Sequence, residues 1–229
     1  MQHSRDYSAS ASSRWLQCAG SVVAVRNYQD KGSVFAQEGT CAHQLSQIGL
    51  EGDLTEKQLI TYVGKSLSDA PTITIDKDMV HHAQGYIDYC RSFEGDHFIE
   101  IKVSYENLVK DGFGTSDFIA IDTKNKKIIC VDLKYGMKEV SAVNNTQAQL
   151  YASGVVNEYE FIYDFDESWT IEMHIYQPRI SNFSDWSISF NELVQFGEFV
   201  KERVALTKLE DAPFSPSDSA CMWCAHKAD

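Results

Sequence analysis

Two short polar motifs contain the residue types that metal-dependent phosphodiester cleavage requires. One is the run Gly-Thr-Ser-Asp that ends in Asp117, and the other is Asp132-Leu133-Lys134. The reaction needs hard oxygen ligands for a divalent cation, an activated water and a positive charge near the developing negative charge. Side chains alternate along a strand, so Asp132 and Lys134 point to one face. There Asp132 can bind metal while Lys134 orients the water or stabilises the transition state. The carbonyl oxygen of Leu133 is a further candidate ligand.

The spacing of the two motifs fits a β-hairpin. Fourteen residues separate Asp117 from Asp132, which suits two strands joined by the tight turn that residues 123–126 predict. An isolated Asp-x-Lys is usually a surface ion pair. Here, however, residues 128–131 form an apolar run, which is typical of a strand buried on both faces. Charge at the end of such a strand needs a compensating partner, and this favours the catalytic interpretation.

The elements around these motifs follow from the hydrophobic period. It predicts helices over 13–25, 38–50, 76–93, 144–157 and 190–208, and strands over 97–106, 116–122, 127–134, 169–177 and 186–189. Ser189 and Glu192 predict a capping box for the last helix. Residues 1–13 are predicted to be loosely packed. The order predicts a single α/β domain over 1–229 with a mixed sheet flanked by helices. It divides into a mainly helical part (1–95), a catalytic sheet core with helices (96–208) and a cysteine-bearing tail (209–229).

Composition limits the location and the partners. The chain has 229 residues and a net charge of −13, with no apolar run long enough to span a bilayer and no secretory signal. We therefore expect a cytoplasmic protein without a membrane partner. The charge argues against a generally basic nucleic-acid surface, although metal-binding carboxylates contribute negative charge themselves. The candidates for a local basic groove are Lys124, Lys126, Lys127, Lys134 and Lys138, and for the first three a solvated hairpin tip is the preferred interpretation.

Seven segments in order resemble the RecB-like branch of the PD-(D/E)XK nucleases, in particular a phage- and prophage-encoded family related to the CRISPR-associated RecB-type exonucleases. The resemblance implies a restriction-endonuclease-like fold. It also implies a Mg²⁺- or Mn²⁺-dependent deoxyribonuclease, an exonuclease in phage recombination or DNA processing. The segments are 13–21 (SRWLQCAGS), 38–43 (EGTCAH), 114–117 (GTSD), 131–136 (VDLKYG), 145–151 (NxQxxxY), 177–179 (QPR) and 221–224 (CxxC).

The resemblance also assigns residues outside the two motifs. A histidine on an early helix completes the metal site in such nucleases, and His43 matches it, whereas a lone helix histidine is more often satisfied or exposed. Glu38 either supports this site or DNA binding, or is a first-turn acid that suits the helix dipole. Gln147 and Tyr151 share a helix face and imply contacts to DNA or to the lysine, with packing of Tyr151 on the sheet as an equal alternative. Arg179 either holds a phosphate or forms a surface ion pair.

The six cysteines do not suit a disulfide framework in a cytoplasmic chain. Several relatives hold a 4Fe-4S cluster, and the resemblance assigns Cys18, Cys221 and Cys224 to three of its ligands, while the fourth cysteine is absent from this sequence. A zinc site with His226, or a reduced tail without metal, are the alternatives. Such a cluster would join the chain ends and take no part in cleavage.

Two other classes of function stay open. One is a nucleic-acid- or protein-binding module that does not cut, which the negative charge favours and the intact Asp117, Asp132 and Lys134 disfavour. The other is a structural protein organised by metal-bound cysteines. For a nuclease, the expected partners are single- or double-stranded DNA and a phage single-strand annealing protein. The polarity of cleavage and the oligomeric state are open.

Overall fold

The computed structural model describes residues 4, 6–28 and 32–227. The strands are β1 (Asp96–Ser104), β2 (Phe113–Asp122), β3 (Lys127–Leu133), β4 (Thr170–Gln177) and β5 (Asn182–Ser189). The α-helices are α1 (Ser12–Gln17), α2 (Ser21–Ala24), α3 (Val34–Glu51), α4 (Glu56–Leu59), α5 (Lys77–Arg91), α6 (Thr146–Tyr163), α7 (Phe190–Thr207) and α8 (Asp218–Cys221). Short 3₁₀ turns cover Ala9–Ala11, Ile60–Tyr62 and Pro178–Ile180.

The strands form one sheet in the order β1-β2-β3-β4-β5. The three strands β1, β2 and β3 are antiparallel neighbours, β3 and β4 run parallel, and β4 and β5 are again antiparallel. A parallel pair needs a crossover connection, which α6 provides. The predicted α/β class is therefore confirmed, with a mixed sheet flanked by helices and an N-terminal helical part.

Each face of the sheet packs against its own helices. The face against α3 and α5 includes Phe118 and Val131, and the face against α1, α6 and α7 includes Ile119 and Cys130. Neighbouring residues of β2 and β3 thus point to opposite sides, as strand geometry requires. Strand β3 is buried on both faces, as its apolar run predicts. Burial of this apolar surface is the main force that holds the helices on the sheet.

Local signals fix where the site-bearing helices begin. The side chains of Ser33, Asp76 and Asn145 each accept a backbone N–H in the first turn of α3, α5 and α6. Ser189 and Glu192 form the predicted capping box before α7. No helix in the described part of the chain is long and apolar enough to cross a bilayer.

Three local predictions are wrong. The helix predicted over 13–25 is interrupted between α1 and α2, where Gly20 lies so close to the tail that a Cβ atom would clash. The second strand begins at Phe113, so Asp117 lies inside β2 rather than near its start. The N-terminal segment is packed rather than loose, since Ala9 is completely buried. Residues 1–3 and 5 of that segment lie outside the described residues.

Candidate active site

The site forms where β2 and β3 stop pairing. Their ladder ends at the pair Phe118–Val131, whereas β3 stays paired with β4 as far as Leu133. Beyond the end of the ladder, the backbone N–H of Leu133 donates to Oδ2 of Asp117 at 2.7 Å. A carboxylate therefore takes the place of a strand backbone as acceptor, and only 6% of Asp117 is exposed.

Glu100 supplies a second carboxylate, which the sequence prediction did not include. The pairing of β1 and β2 is regular on either side of the position where Glu100 faces Asp117. The backbone of Glu100 has φ of 47°, in the left-handed region that non-glycine residues rarely adopt. Such a conformation costs on the order of 1–3 kcal/mol and persists where the surrounding structure enforces it, commonly at functional sites.

His43 on α3 completes a set of three potential ligands. Its Nδ1 lies 3.2 Å from Oδ1 of Asp117 and 3.8 Å from Oε1 of Glu100. Among the described residues, these three side chains are the set whose ligand atoms all lie within 4.8 Å of one another. Burial lowers the pKa of His43, but the two carboxylates outweigh burial and raise the pKa to about 10. In the metal-free protein, a protonated imidazole therefore neutralises part of the negative charge.

Asp132 and Lys134 form a second group beside the first. Nζ of Lys134 lies 2.8 Å from Oδ2 of Asp132. Gln147 of α6 contacts both: its Nε2 donates to Oδ1 of Asp132 at 3.0 Å, and its Oε1 accepts from Nζ of Lys134 at 3.0 Å. The same Nε2 lies 3.1 Å from the hydroxyl oxygen of Tyr151, which accepts from it. One helix face thus orients the aspartate and the lysine together.

Burial and neighbouring charges set the protonation states of these groups. Burial lowers the pKa of Lys134, but Asp132 and then Asp117 raise it above its usual value. Burial raises the pKa of Asp132 despite the nearby Lys134. For Asp117, burial is outweighed by His43, so the pKa of this carboxyl lies below its usual value. The site therefore holds an ammonium group and a firmly ionised carboxylate at neutral pH.

This arrangement fits a divalent cation. An imidazole nitrogen and two carboxylates are suitable ligands for Mn²⁺ or, with more retained water, Mg²⁺. The buried Nδ1 of His43 has no well-formed hydrogen bond despite its two carboxylate neighbours. A bound cation would replace the proton on this imidazole and pair with both carboxylates. Leu133 contributes its backbone N–H to the site. That its carbonyl and the carboxylate of Asp132 also bind the metal stays a prediction.

Glu38 lies outside this set of ligands. Helix α3 begins at Val34, so the interpretation of Glu38 as a first-turn acid is wrong. Its carboxylate lies 2.6 Å from Nη1 of Arg179, which places this arginine in the predicted ion pair. The same Nη1 donates to the carbonyl of Tyr135 at 3.3 Å, and the guanidinium lies 5.1 Å from the Tyr135 ring centroid. These contacts connect α3 to the segment that follows β3. A contact of Glu38 with DNA stays a prediction.

The candidate basic groove is mostly not at the site. Lys124, Lys126 and Lys127 each pair with an acidic side chain around the turn between β2 and β3, in agreement with a solvated hairpin tip. Lys138 contacts the sulfur of Met222 in the tail. Only Lys134 of the five predicted lysines lies among the candidate site residues.

The cysteines of the predicted metal site lie in one region, where the tail packs on α1. Cys18 is buried, its sulfur accepts from the N–H of Ser215, and Cys221 and Cys224 are partly buried. Both Cys18 and Cys224 act electrostatically on Arg14. Within the described residues, the three sulfurs do not form a set of mutually close metal ligands. An iron-sulfur or zinc site stays a prediction.

Comparison with known proteins places the chain. Residues 3–229 match the family described as "Protein of unknown function (DUF2800)". The chain belongs to this family. The fold of this DUF2800 member is similar to the crystal structure of a "putative exonuclease" from Eubacterium rectale, with a TM-score of 0.51 and 11% identity, over 98% of this chain and 89% of that chain. The crystal structure of SSO0001 aligns over 94% of this chain and 96% of that chain, with a TM-score of 0.34 and 11% identity.

Proposed function

We propose that this protein is a divalent-metal-dependent deoxyribonuclease that hydrolyses phosphodiester bonds as an exonuclease with Mg²⁺ or Mn²⁺. The observation that carries the proposal is the convergence of His43, Glu100 and Asp117 beside the Asp132–Lys134 ion pair, at a gap in the sheet. The similarity in fold to the Eubacterium rectale protein that is described as a putative exonuclease supports the proposal.

Each residue of the site has a role in this proposal. His43, Glu100 and Asp117 hold the cation, with Asp132 and the carbonyl of Leu133 as additional ligands. When bound, the cation supplies Lewis acidity at the scissile phosphate. Lys134 orients the attacking water and stabilises the negative charge that develops on the phosphate. Gln147 keeps Lys134 and Asp132 in register, and Tyr151 fixes Gln147.

The finer expectations belong to the same proposal. The enzyme would act on single- or double-stranded DNA in the cytoplasm of a bacterial host, in phage recombination or DNA processing, with a phage single-strand annealing protein as partner. Glu38 would act near the DNA through its pair with Arg179. A 4Fe-4S cluster or zinc at Cys18, Cys221 and Cys224 would join the two ends of the chain.

Cleavage of end-labelled DNA tests the proposal and reads its polarity. With Mn²⁺, we expect the purified protein to shorten single- or double-stranded DNA, and Lys134→Ala and Asp132→Ala to lose about 100-fold or more in rate. Lys124→Ala is the matched control, because its lysine is exposed and pairs only weakly with Glu94. Undiminished cleavage by either site variant would contradict the assignment. Tight DNA binding without cleavage would favour the non-cutting module.

A further inference from the structure

The pocket behind the three candidate metal ligands contains two hydroxyl groups that the proposed function does not use. Ser46 of α3 and Tyr86 of α5 line the same pocket as His43, Glu100 and Asp117. Ser46 is 2% exposed and Tyr86 is 1% exposed. Neither hydroxyl oxygen has a hydrogen-bond partner among the described residues.

Unpartnered buried hydroxyls are unusual, because a polar group that loses water without gaining a partner destabilises the folded state. The thiol of Cys90, one helical turn after Tyr86, interacts with the phenol, but a thiol is a weak hydrogen-bonding group. Two such groups in one pocket, next to two carboxylates with spare oxygen lone pairs, indicate a state of the site in which the hydroxyls find acceptors.

We propose that Ser46 and Tyr86 are positioning residues of the metal centre, donating hydrogen bonds to the carboxylates of Glu100 and Asp117 when a divalent cation is bound. This inference rests on the proposed metal-dependent function. In the metal-free site, Nδ1 of His43 contacts both carboxylates, at 3.2 Å from Asp117 and 3.8 Å from Glu100. With a divalent cation bound, His43 would be held by the cation, and the two hydroxyls would help to orient the carboxylates of Glu100 and Asp117.

The placement of both residues on the fold supports this role. Ser46 follows His43 by three positions on α3, so the two side chains share one face of the helix. Tyr86 arrives from α5, which packs against α3 and the same sheet face. Burial, the nearby Cys90 and the carboxylate of Asp117 all raise the pKa of Tyr86, so its phenol stays protonated and can only donate to a carboxylate.

Thermal unfolding and Mn²⁺ titration by calorimetry on the full chain test the proposal. For Ser46→Ala and Tyr86→Phe, we expect an unchanged or higher melting temperature in EDTA, because each removes an unpartnered buried hydroxyl. In the same variants, Mn²⁺ should bind about 10- to 100-fold more weakly, as after loss of an outer partner of a metal ligand. Neither readout depends on cleavage.

Tyr105→Phe is the matched control. The Tyr105 hydroxyl is also buried, but the carbonyl oxygens of Tyr7 and Phe113 lie 2.9 and 3.0 Å from it and share its hydrogen as acceptors. This variant should therefore melt at a lower temperature in EDTA and bind Mn²⁺ like the unmodified protein.

Three outcomes would overturn the inference. One is full Mn²⁺ affinity in both Ser46→Ala and Tyr86→Phe. Another is a loss of melting temperature in EDTA for both that matches Tyr105→Phe, which would mean that the hydroxyls act only in packing. The third is that the unmodified protein itself binds no Mn²⁺, which would contradict the proposed function as well. Mn²⁺ binding by the unmodified protein thus separates failure of the proposed function from failure of the role of the two hydroxyls.

Discussion

The left-handed backbone of Glu100 is the residue-level feature on which the proposed metal site most depends. Alternation in β1 would place Glu100 with Phe98 and Lys102 on an ordinary strand face. The unusual φ instead lets its carboxylate meet Asp117 and His43. This left-handed conformation lowers the stability of the folded protein, and substitutions at position 100 should reveal by how much.

Replacing Glu100 by glycine and by alanine separates backbone strain from the loss of the carboxylate. Both variants lose the ligand, but only glycine relieves the left-handed conformation. In EDTA we expect Glu100→Gly to be more stable than Glu100→Ala by about 1 kcal/mol, the reverse of the usual order within a strand. Urea unfolding measures the difference. Both variants should bind Mn²⁺ more weakly than the unmodified protein. A more stable alanine variant would show that position 100 carries no strain.

The raised pKa of His43 predicts how the metal-free protein responds to pH. Because the folded pKa of about 10 lies above the usual value of 6.5, His43 stabilises the fold fully below about pH 6.5 and loses this contribution as pH rises toward 10. In EDTA, the stability difference between the unmodified protein and His43→Asn should therefore shrink over that range. Urea unfolding at several pH values checks it. A constant difference would contradict a protonated His43.

Residue-level prediction from sequence reached Asp117, Asp132, Lys134, His43 and Gln147, and the structure brings all five into one neighbourhood. Motif spacing and the family resemblance can predict these residues, because both depend only on the order of residues along the chain. Glu100 could not be found in this way. The alternation of apolar and polar residues around Glu100 is that of any half-buried strand. Its left-handed backbone conformation results from tertiary packing, which leaves no local signal in the sequence.

At the level of elements, the connection between β3 and α6 is fixed by side chains rather than by a strand. Gln177 is completely buried, and its Nε2 donates to the carbonyls of Gly136 and Lys138 at 2.8 Å each. Its Oε1 accepts from the N–H of Val140 at 3.1 Å, and Asn182 donates to the Val140 carbonyl. Because this connection follows Lys134 directly and precedes Gln147, its shape sets how the lysine and α6 meet.

Replacing Gln177 by methionine tests this connection. The change keeps the volume but removes four hydrogen bonds, with the carbonyls of Gly136 and Lys138, the N–H of Val140 and the side-chain amide of Asn182, so we expect a loss of about 1–3 kcal/mol in stability. Hydrogen exchange should speed up at the Val140 amide more than at amides of β3. The cleavage rate should fall with little change in KM, because the lysine shifts while DNA contacts stay. Gln195→Met, at an exposed side chain of α7, is the control. Equal exchange in both variants would contradict the role of Gln177.

Elements were largely predictable because period and capping are local properties. The capped helices α3, α5, α6 and α7 and all five strands have a matching prediction, although α6 continues six residues past its predicted end and β5 begins four residues before its predicted start. The short helices α4 and α8 had no matching prediction, and the region of α1 and α2 was predicted wrongly. Its helical pattern is interrupted because Gly20 must pass beside the tail, and that contact joins segments almost 200 positions apart.

The whole molecule carries a net charge of −13, and its basic hairpin tip is largely neutralised by paired carboxylates. If the protein is the proposed nuclease, phosphate binding would rely largely on the positive charge of the cation, beside that of Lys134. We therefore expect DNA affinity to depend on divalent metal more strongly than on basic side chains.

Fluorescence anisotropy with a labelled oligonucleotide measures this dependence. Calcium, which binds oxygen ligands, should strengthen DNA binding about tenfold or more over EDTA at constant ionic strength. Asp117→Asn should lose most of this gain, whereas Asp166→Asn, at an exposed site beside Lys126, should keep it. Equally tight binding in EDTA would point to a basic groove that the charge distribution does not suggest.

The one-sided attachment of β3 at its end has a mechanical consequence. Here the strand is anchored to β4 by backbone hydrogen bonds, but its link to β2 is a single carboxylate. On heating, β2 should therefore separate from the end of β3 before β4 does. Asp117 and Glu100 would move away, while Lys134 would stay in place. A cation shared by Asp117 and the proposed additional ligand Asp132 would connect β2 to β3 at this end, so metal binding would also stabilise the fold.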